Sequence, residues 1–269
     1  MLIAQLSDPH IFARGELMEG RIDTAAHLAE ALLTLRSLSP QPAVILLTGD
    51  LVNDGTPEQY EHLREVLAAE LTSVIVVAGN HDDRQGLRNS FPQLPDVGSV
   101  DDCIDYVVDT DEGGFAASFV VLDTTVPGEH GGSLSAPQLS WLESQLECRT
   151  DRRVVVVQHH PPFVSGIGFM DAYGLQGASD EAAVLERFTN IDAVLCGHLH
   201  RPASSRFGGT IAFASPSTAA QVSPSFEGET TSYTDEAGMF ALHWWTNTGL
   251  VTHLHPTGDR GHWVPAWAS

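Results

Sequence analysis

Lysine is absent from this 269-residue chain: all 13 basic side chains are Arg, set against 35 Asp and Glu, for a formal net charge of −22 with histidine neutral. Without a lysine amine there is no Schiff-base chemistry and no P-loop mechanism. So acidic a surface repels duplex nucleic acid, which draws proteins through Lys and Arg, and it repels anionic membranes for the same reason. Cysteine is scarce as well. Cys103, Cys148 and Cys196 are an odd number at wide spacing with no CxxC pair. Neither a disulfide framework nor a thiolate zinc site is indicated, and a reducing cytoplasm is the expected setting. No apolar run reaches the roughly 18 residues of a membrane span, and no charged leader or small-residue cleavage site opens the chain. Nor does any Ser/Gly linker, repeat or low-complexity block divide it. What is plentiful is histidine, with 13 residues, as many as all the bases together.

Short β-rich apolar runs recur at residues 2–6, 43–47, 73–77, 119–122, 154–157, 193–195 and 210–213. Bounded by turn residues, they suit strands covered on both faces. Helical patterns lie between several of them. Thr56-Pro57-Glu58-Gln59 and Ser135-Ala136-Pro137-Gln138 read as capping boxes that open helices to about Glu70 and Glu147. A 3.6-residue period predicts two more over 24–38 and 180–188. Strands alternating with helices predict an α/β layered fold with a largely parallel central sheet. From Phe240 onward, two β-type runs around Thr246-Asn247-Thr248-Gly249 read as a terminal hairpin.

The chemistry lies at the strand ends. The five runs beginning at 2, 43, 73, 154 and 193 finish in Ser7-Asp8-Pro9-His10, Thr48-Gly49-Asp50, Gly79-Asn80-His81-Asp82, His159-His160 and Gly197-His198-Leu199-His200. Parallel strands open their carboxyl ends onto one crevice, so these groups should converge. Imidazole nitrogen beside carboxylate oxygen suits Zn, Mn, Fe, Co or Ni. The glycines before Asp50, Asn80 and His198 are expected to let the backbone turn those side chains inward.

In this order, Asp8-Pro9-His10, Gly49-Asp50, Gly79-Asn80-His81-Asp82, His159 and Gly197-His198-Leu199-His200 resemble the calcineurin-like metallophosphoesterase superfamily, whose pattern is DxH, GD, GNH(D/E), H, GHxH. Within it the chain is most similar to bacterial glycerophosphodiesterases and class III cyclic nucleotide phosphodiesterases. The resemblance implies a four-layer αββα sandwich of two mixed β-sheets flanked by helices, with a catalytic core over 1–220. Residues 221–269 would form a C-terminal extension whose hairpin packs on the core or serves oligomerisation. It implies two divalent or mixed-valence metal ions (Fe, Mn, Zn or Co). Asp8, His10 and His200 would hold the first, Asn80, His159 and His198 the second, and Asp50 would bridge them. The implied reaction is hydrolysis of small organophosphate diesters by attack of a metal-bound hydroxide, with Asp50 and His81 as catalytic residues. The neutral Asn80 amide should make the second site the weaker one. A phosphomonoesterase or nucleotide hydrolase uses the same fold, and a non-catalytic interaction module would show eroded ligands.

Several residues lie outside that set. His81 is expected at the rim of the site; in many relatives an Asp orients this His, whereas Asn53 stands at that position here, followed by Asp54. His160, taken as continuing a strand, should point to the face opposite His159 and support the site without being a ligand. His130, in the Gly-rich stretch 127–132, and residues 163–177 read as mobile loops bordering the substrate. His243, His253, His255 and His262 read as surface or hairpin residues. Trp244 and Trp245 are adjacent, so one must face away from the core, which suggests a homo-oligomer through this region.

Overall fold

The computed structural model describes residues 1–68, 73–95, 102–111, 114–226, 228, 230–258, 261, 264–265 and 267. In chain order the elements are β1 (Leu2–Leu6), α1 (Thr24–Ser37), β2 (Val44–Thr48), α2 (Pro57–Leu67), β3 (Ser73–Val77), α3 (Arg84–Ser90), β4 (Tyr106–Thr110), β5 (Ala117–Val121), β6 (Gly132–Ser133), α4 (Ala136–Glu147), β7 (Arg153–Val157), α5 (Gly168–Asp171), β8 (Leu175–Gln176), α6 (Ala178–Leu185), β9 (Ile191–Cys196), β10 (Ala203–Phe207), β11 (Thr210–Ala214), β12 (Gln221–Val222), β13 (Tyr233–Thr234), β14 (Met239–Thr246) and β15 (Gly249–Pro256).

The strands make two large sheets in place of the single central sheet that alternation alone suggests. One has the order β15-β14-β1-β2-β3, the other β10-β11-β9-β7-β5-β4. Both are parallel inside and antiparallel at an edge: β1 to β3 run together, β14 runs against them and β15 against β14, and β4 and β10 reverse at the two margins of the second sheet. The period-two alternation of the strands explains the layering. Ile3, Val44, Leu46, Ile75 and Val77 face Phe119, Val121, Val155, Val157 and Leu195 across the space between the sheets. The intervening residues Ala4, Leu6, Ile45, Leu47 and Val76 face outward onto Leu28, Leu32 and Leu63 of α1 and α2. On the other sheet Val120, Val154, Val156 and Val194 meet Leu142, Leu146 and Leu185 of α4 and α6. The result is the helix–sheet–sheet–helix sandwich. Trp245 is nearly fully buried against Phe115 and Phe119, with its Nε1 donating to Asp192 at 2.5 Å, while Trp244 is 43% exposed.

Local chemistry sets the helix starts. Ser135 and Gln138 form the reciprocal box read from the sequence. At α2 only half of it forms. Thr56 accepts from the Gln59 amide, but the Gln59 side chain turns instead to Asp54, accepting from its N–H and donating to its carboxylate, both at 2.8 Å. Gly55, at φ 66°, folds Asp54 back within that reach. The helix ends at Leu67, and Glu70 lies outside the described residues. Elements α3, β4 and β10 lie outside the sequence reading: α3 is seven residues long, β4 is a short, half-buried Tyr-Val-Val ahead of Asp109, and β10 is largely polar.

Candidate metal centre

The ends of β1, β2, β3, β7 and β9 deliver all seven residues of the sequence-derived ligand set to one buried crevice. Asp50 Oδ2 lies 3.6 Å from His10 Nε2 and 3.5 Å from His159 Nε2. Asn80 Oδ1 lies 3.1 Å from both His159 Nε2 and His198 Nδ1. His200 Nε2 is 3.0 Å from His10 Nε2 and 3.6 Å from Asp8 Oδ1. Every partner of the outer nitrogens is an acceptor. His159 Nδ1 donates to the Thr48 carbonyl and His200 Nδ1 to the Ala220 carbonyl, both at 2.9 Å, so each ring turns its Nε2 toward the cluster.

The backbone is strained to achieve this. Asp8, His10, Asp50, His198 and His200 all sit in the left-handed region, with φ of 49°, 43°, 49°, 70° and 50°. Such conformations cost an L-residue about 1 kcal/mol or more each and persist where the surroundings hold them. Gly49, at φ 88°, makes the turn expected of it, but the other two glycines differ from expectation. Gly79 and Gly197 do not make the turns; they leave room. A Cβ at Gly197 would strike Ser7 Oγ and the Thr48 carbonyl oxygen, and one at Gly79 would strike the Asp50 amide nitrogen and carboxylate.

Electrostatics show what the cluster lacks. Burial by itself would raise Asp50, yet the neighbouring imidazoles, His159 foremost, hold it well below the usual carboxylate range. Burial opposes charge on His159 too, but the Asp50 carboxylate outweighs it and lifts the ring to about 9. Burial drives His10 and His198 well down, and each keeps a buried nitrogen with no hydrogen-bond partner. Imidazoles and carboxylates gathered out of water call for a cation at their centre, and imidazole, carboxylate and amide oxygen are the donors that divalent transition metals take. Asp8, His10, Asp50 and His200 place one ligand atom each within 4.8 Å of one another, as do His159, His160 and His198. The residues present therefore fit metal ions.

His160 departs from the sequence reading. It lies beyond the end of β7, where strand alternation no longer applies, and its ring packs at 4.9 Å from His159 and 4.7 Å from His198. Both its nitrogens are already engaged, with Thr124 Oγ1 at 2.8 Å and the His130 carbonyl at 3.0 Å, and burial lowers it to about 3. His81 finds its orienting partner in the main chain: Nδ1 donates to the Asn53 carbonyl at 2.7 Å, leaving Nε2 free for the cavity. Asp82, unassigned by the sequence reading, clamps the loops after β2 and β3 by accepting from Gly79, Leu51 and Val52 amides and the Tyr60 hydroxyl. Among the tail histidines, His243 is fully buried, His255 stacks on Phe240, His253 is exposed, and His262 lies outside the described residues.

Over the cluster opens a cavity of about 420 Å³, whose outer wall carries Phe12, Phe169, Tyr173, Tyr233 and Glu19; its described lining contains no Arg. His130 edges onto Tyr173 at 5.4 Å and lies 6.0 Å from His81. A second cavity of about 840 Å³, beyond Tyr173 and against Phe163 and Asp171, includes none of the seven residues.

Comparison with known proteins agrees with this geometry. The calcineurin-like phosphoesterase family model matches residues 1–202. A glycerophosphodiester phosphodiesterase, GpdQ, of Enterobacter lignolyticus is 31% identical over 269 residues, covering 99% of this chain and 94% of its own. The 3',5'-cyclic adenosine monophosphate phosphodiesterase CpdA of Escherichia coli is 28% identical, covering 96% of this chain and 90% of its own. In fold, the chain is similar to a dimetal phosphatase from Danio rerio, with a TM-score of 0.63 at 16% identity over 96% of this chain and 99% of that one.

Proposed function

The chain belongs to the calcineurin-like phosphoesterase family, and on that premise we propose that its crevice hydrolyses small organophosphate diesters, glycerophosphodiesters or cyclic nucleotides, as a two-metal phosphodiesterase. The observation that carries this reading is the cation-demanding donor cluster at the floor of a cavity with an organic-lined wall. Asp8, His10 and His200 would hold one ion, Asn80, His159 and His198 the other, and Asp50 would serve both. Fe, Mn, Zn and Co all suit this donor set. Bound there, the ions supply Lewis-acid charge to a phosphoryl oxygen and bring the pKa of water toward neutrality.

The chain's own residues do the rest. Carbonyl-anchored imidazoles fix the donors before substrate arrives, so little reorganisation accompanies the reaction. His81 directs Nε2 at the cavity from a ring held by the Asn53 carbonyl, a position from which it steadies charge on the phosphoryl oxygens and passes a proton to the departing alkoxide. With no Arg in the described lining, the aromatic wall grips the organic part of the ester.

The setting we propose is cytoplasmic: Cys103, Cys148 and Cys196 form no disulfide, and no described helix is long and apolar enough to cross a membrane. Exposed Trp244 and Val251 on the terminal hairpin support a homo-oligomer through that region.

Chelated protein reloaded with Mn²⁺, Zn²⁺, Co²⁺ or Fe²⁺ and assayed on bis(nitrophenyl) phosphate, nitrophenyl phosphate, cyclic AMP and glycerophosphocholine tests the function. Metal-dependent diester turnover is expected. Turnover of the monoester alone would replace this reading with a phosphomonoesterase, and no turnover of any would end it.

A further inference from the structure

One continuous run of hydrogen bonds leads from the C-terminal hairpin, through the space between the sheets, to the Asp8 carboxylate. Its directions follow from elementary donor rules. A carboxylate that is ionised only accepts, so Ser7 Oγ donates its hydrogen to Asp8 Oδ2, at 2.5 Å. With that hydrogen committed, Ser7 Oγ accepts from Thr48 Oγ1 at 2.7 Å. Thr48 Oγ1 in turn accepts from Gln5 Nε2 at 3.1 Å, and the other N–H of the same amide goes to the Cys196 carbonyl at 2.8 Å. Those two donations fix which way the carboxamide faces. Gln5 Oε1 is therefore the acceptor presented to His243 Nε2, 3.0 Å away, so His243 carries its proton on Nε2. Its Nδ1 then accepts from Thr252 Oγ1 at 2.9 Å.

All five hydrogens point the same way, toward Asp8. Gln5, Ser7, Asp8, Thr48 and His243 are each fully buried, so water neither shares nor screens these bonds. The alignment places the positive end of every dipole on the side nearer the carboxylate, and each bond polarises the next. Burial lowers His243 to about 3, keeping it the neutral imidazole that these directions require.

We propose that His243, Gln5, Thr48 and Ser7 are positioning residues for the metal site, orienting Asp8 through a run that begins on a hairpin supplying no ligand itself. The proposal rests on the two-metal reading of the crevice. The competing explanation is that these groups only satisfy one another inside the core, in which case breaking the run changes stability and leaves metal binding alone.

Titration of the metal-free protein with Co²⁺, followed by its visible absorption, separates the two. Thr48→Val should weaken the tightest Co²⁺ site about ten- to a hundredfold, as loss of support behind a ligand usually does, and Thr48→Ser, which keeps the hydroxyl, should stay within about threefold of the parent. His243→Leu should weaken it several-fold. The double variant Thr48→Val/His243→Leu should be no weaker than Thr48→Val alone, since the run is then already cut between His243 and Asp8. If Thr48→Val does not fold, Ser7→Ala, which removes the last donor, takes its place. Unchanged Co²⁺ affinity in a folded Thr48→Val or Ser7→Ala chain overturns the proposal, as does strict additivity of the two single losses. Failure of the parent chain to bind Co²⁺ would instead remove the two-metal reading beneath it.

Discussion

Glu181 offers a test of the core that does not involve the metal site. It lies on α6 with no exposed surface; Oε1 has no hydrogen-bond partner, and Oε2 is 3.5 Å from Gln158 Nε2. Burial pushes its carboxyl up to about 8 from the usual 4.5. Gln158 Oε1 is also without a donor, so a proton on Glu181 is what this pair can gain. At 1.36 kcal/mol for each pH unit of displacement, the unfolded chain gains roughly 3 to 6 kcal/mol over the folded one as pH rises. The sign follows from where each state ionises. Below pH 4.5 both states hold the proton and stability is complete. Between 4.5 and about 8 only the unfolded state ionises, and stability drains away; above 8 the loss is finished. Glu181→Gln supplies a permanently neutral isostere with an N–H to offer Gln158. Urea unfolding of chelated protein from pH 4.5 to 9 should therefore show parent and variant within about 1 to 2 kcal/mol of each other at the acid end, and the variant more stable by several kcal/mol at pH 9, with equal m-values. Two curves running parallel across that window would refute the reasoning.

Three further outcomes are expected. Asn80→Asp adds a charge to the second metal position and should tighten the weaker Co²⁺ site about tenfold or more by calorimetry. His81→Ala should slow an alkyl diester about a hundredfold or more while costing bis(nitrophenyl) phosphate far less, because a nitrophenolate leaves without a proton; equal losses in steady-state rates would argue against proton transfer. Glu19 occupies a left-handed position, φ 51°, where Gly or Asn would sit more easily, in the turn closed by the Arg21 amide on the Met18 carbonyl, and it faces the aromatic-walled cavity. Glu19→Gln should raise KM for glycerophosphocholine about five- to tenfold and leave that for bis(nitrophenyl) phosphate unchanged.

The ligand-type residues were legible because chemistry at strand ends leaves its mark in one dimension: an apolar run announces the strand, and Asp8, Asp50, Asn80, His159 and His198 follow immediately. The second sheet was less so. Its edge strand β10 is largely polar and β4 offers only a short, half-buried Tyr-Val-Val, and the division of parallel strands between two sheets depends on which faces meet, which Ile3 and Phe119 do not disclose in sequence. His243 was illegible for a related reason. Its meaning comes from the register Ile3↔His243 and Gln5↔Ala241, which brings residues 238 positions apart within one hydrogen bond. Nor does any sequence signal show that the ligands themselves carry the left-handed backbone, shared by Gly49 but not by Gly79 or Gly197.

One arrangement bears on how the molecule is made. Asp8, His10, Asp50 and Asn80 follow strands of the first sheet, while His159, His198 and His200 follow strands of the second. On the proposed assignment each ion takes donors from both. During synthesis the first four emerge well before the last three, and they cannot complete either coordination sphere. Metal capture is thus a late event in biogenesis, because neither coordination sphere is complete until the two halves have docked.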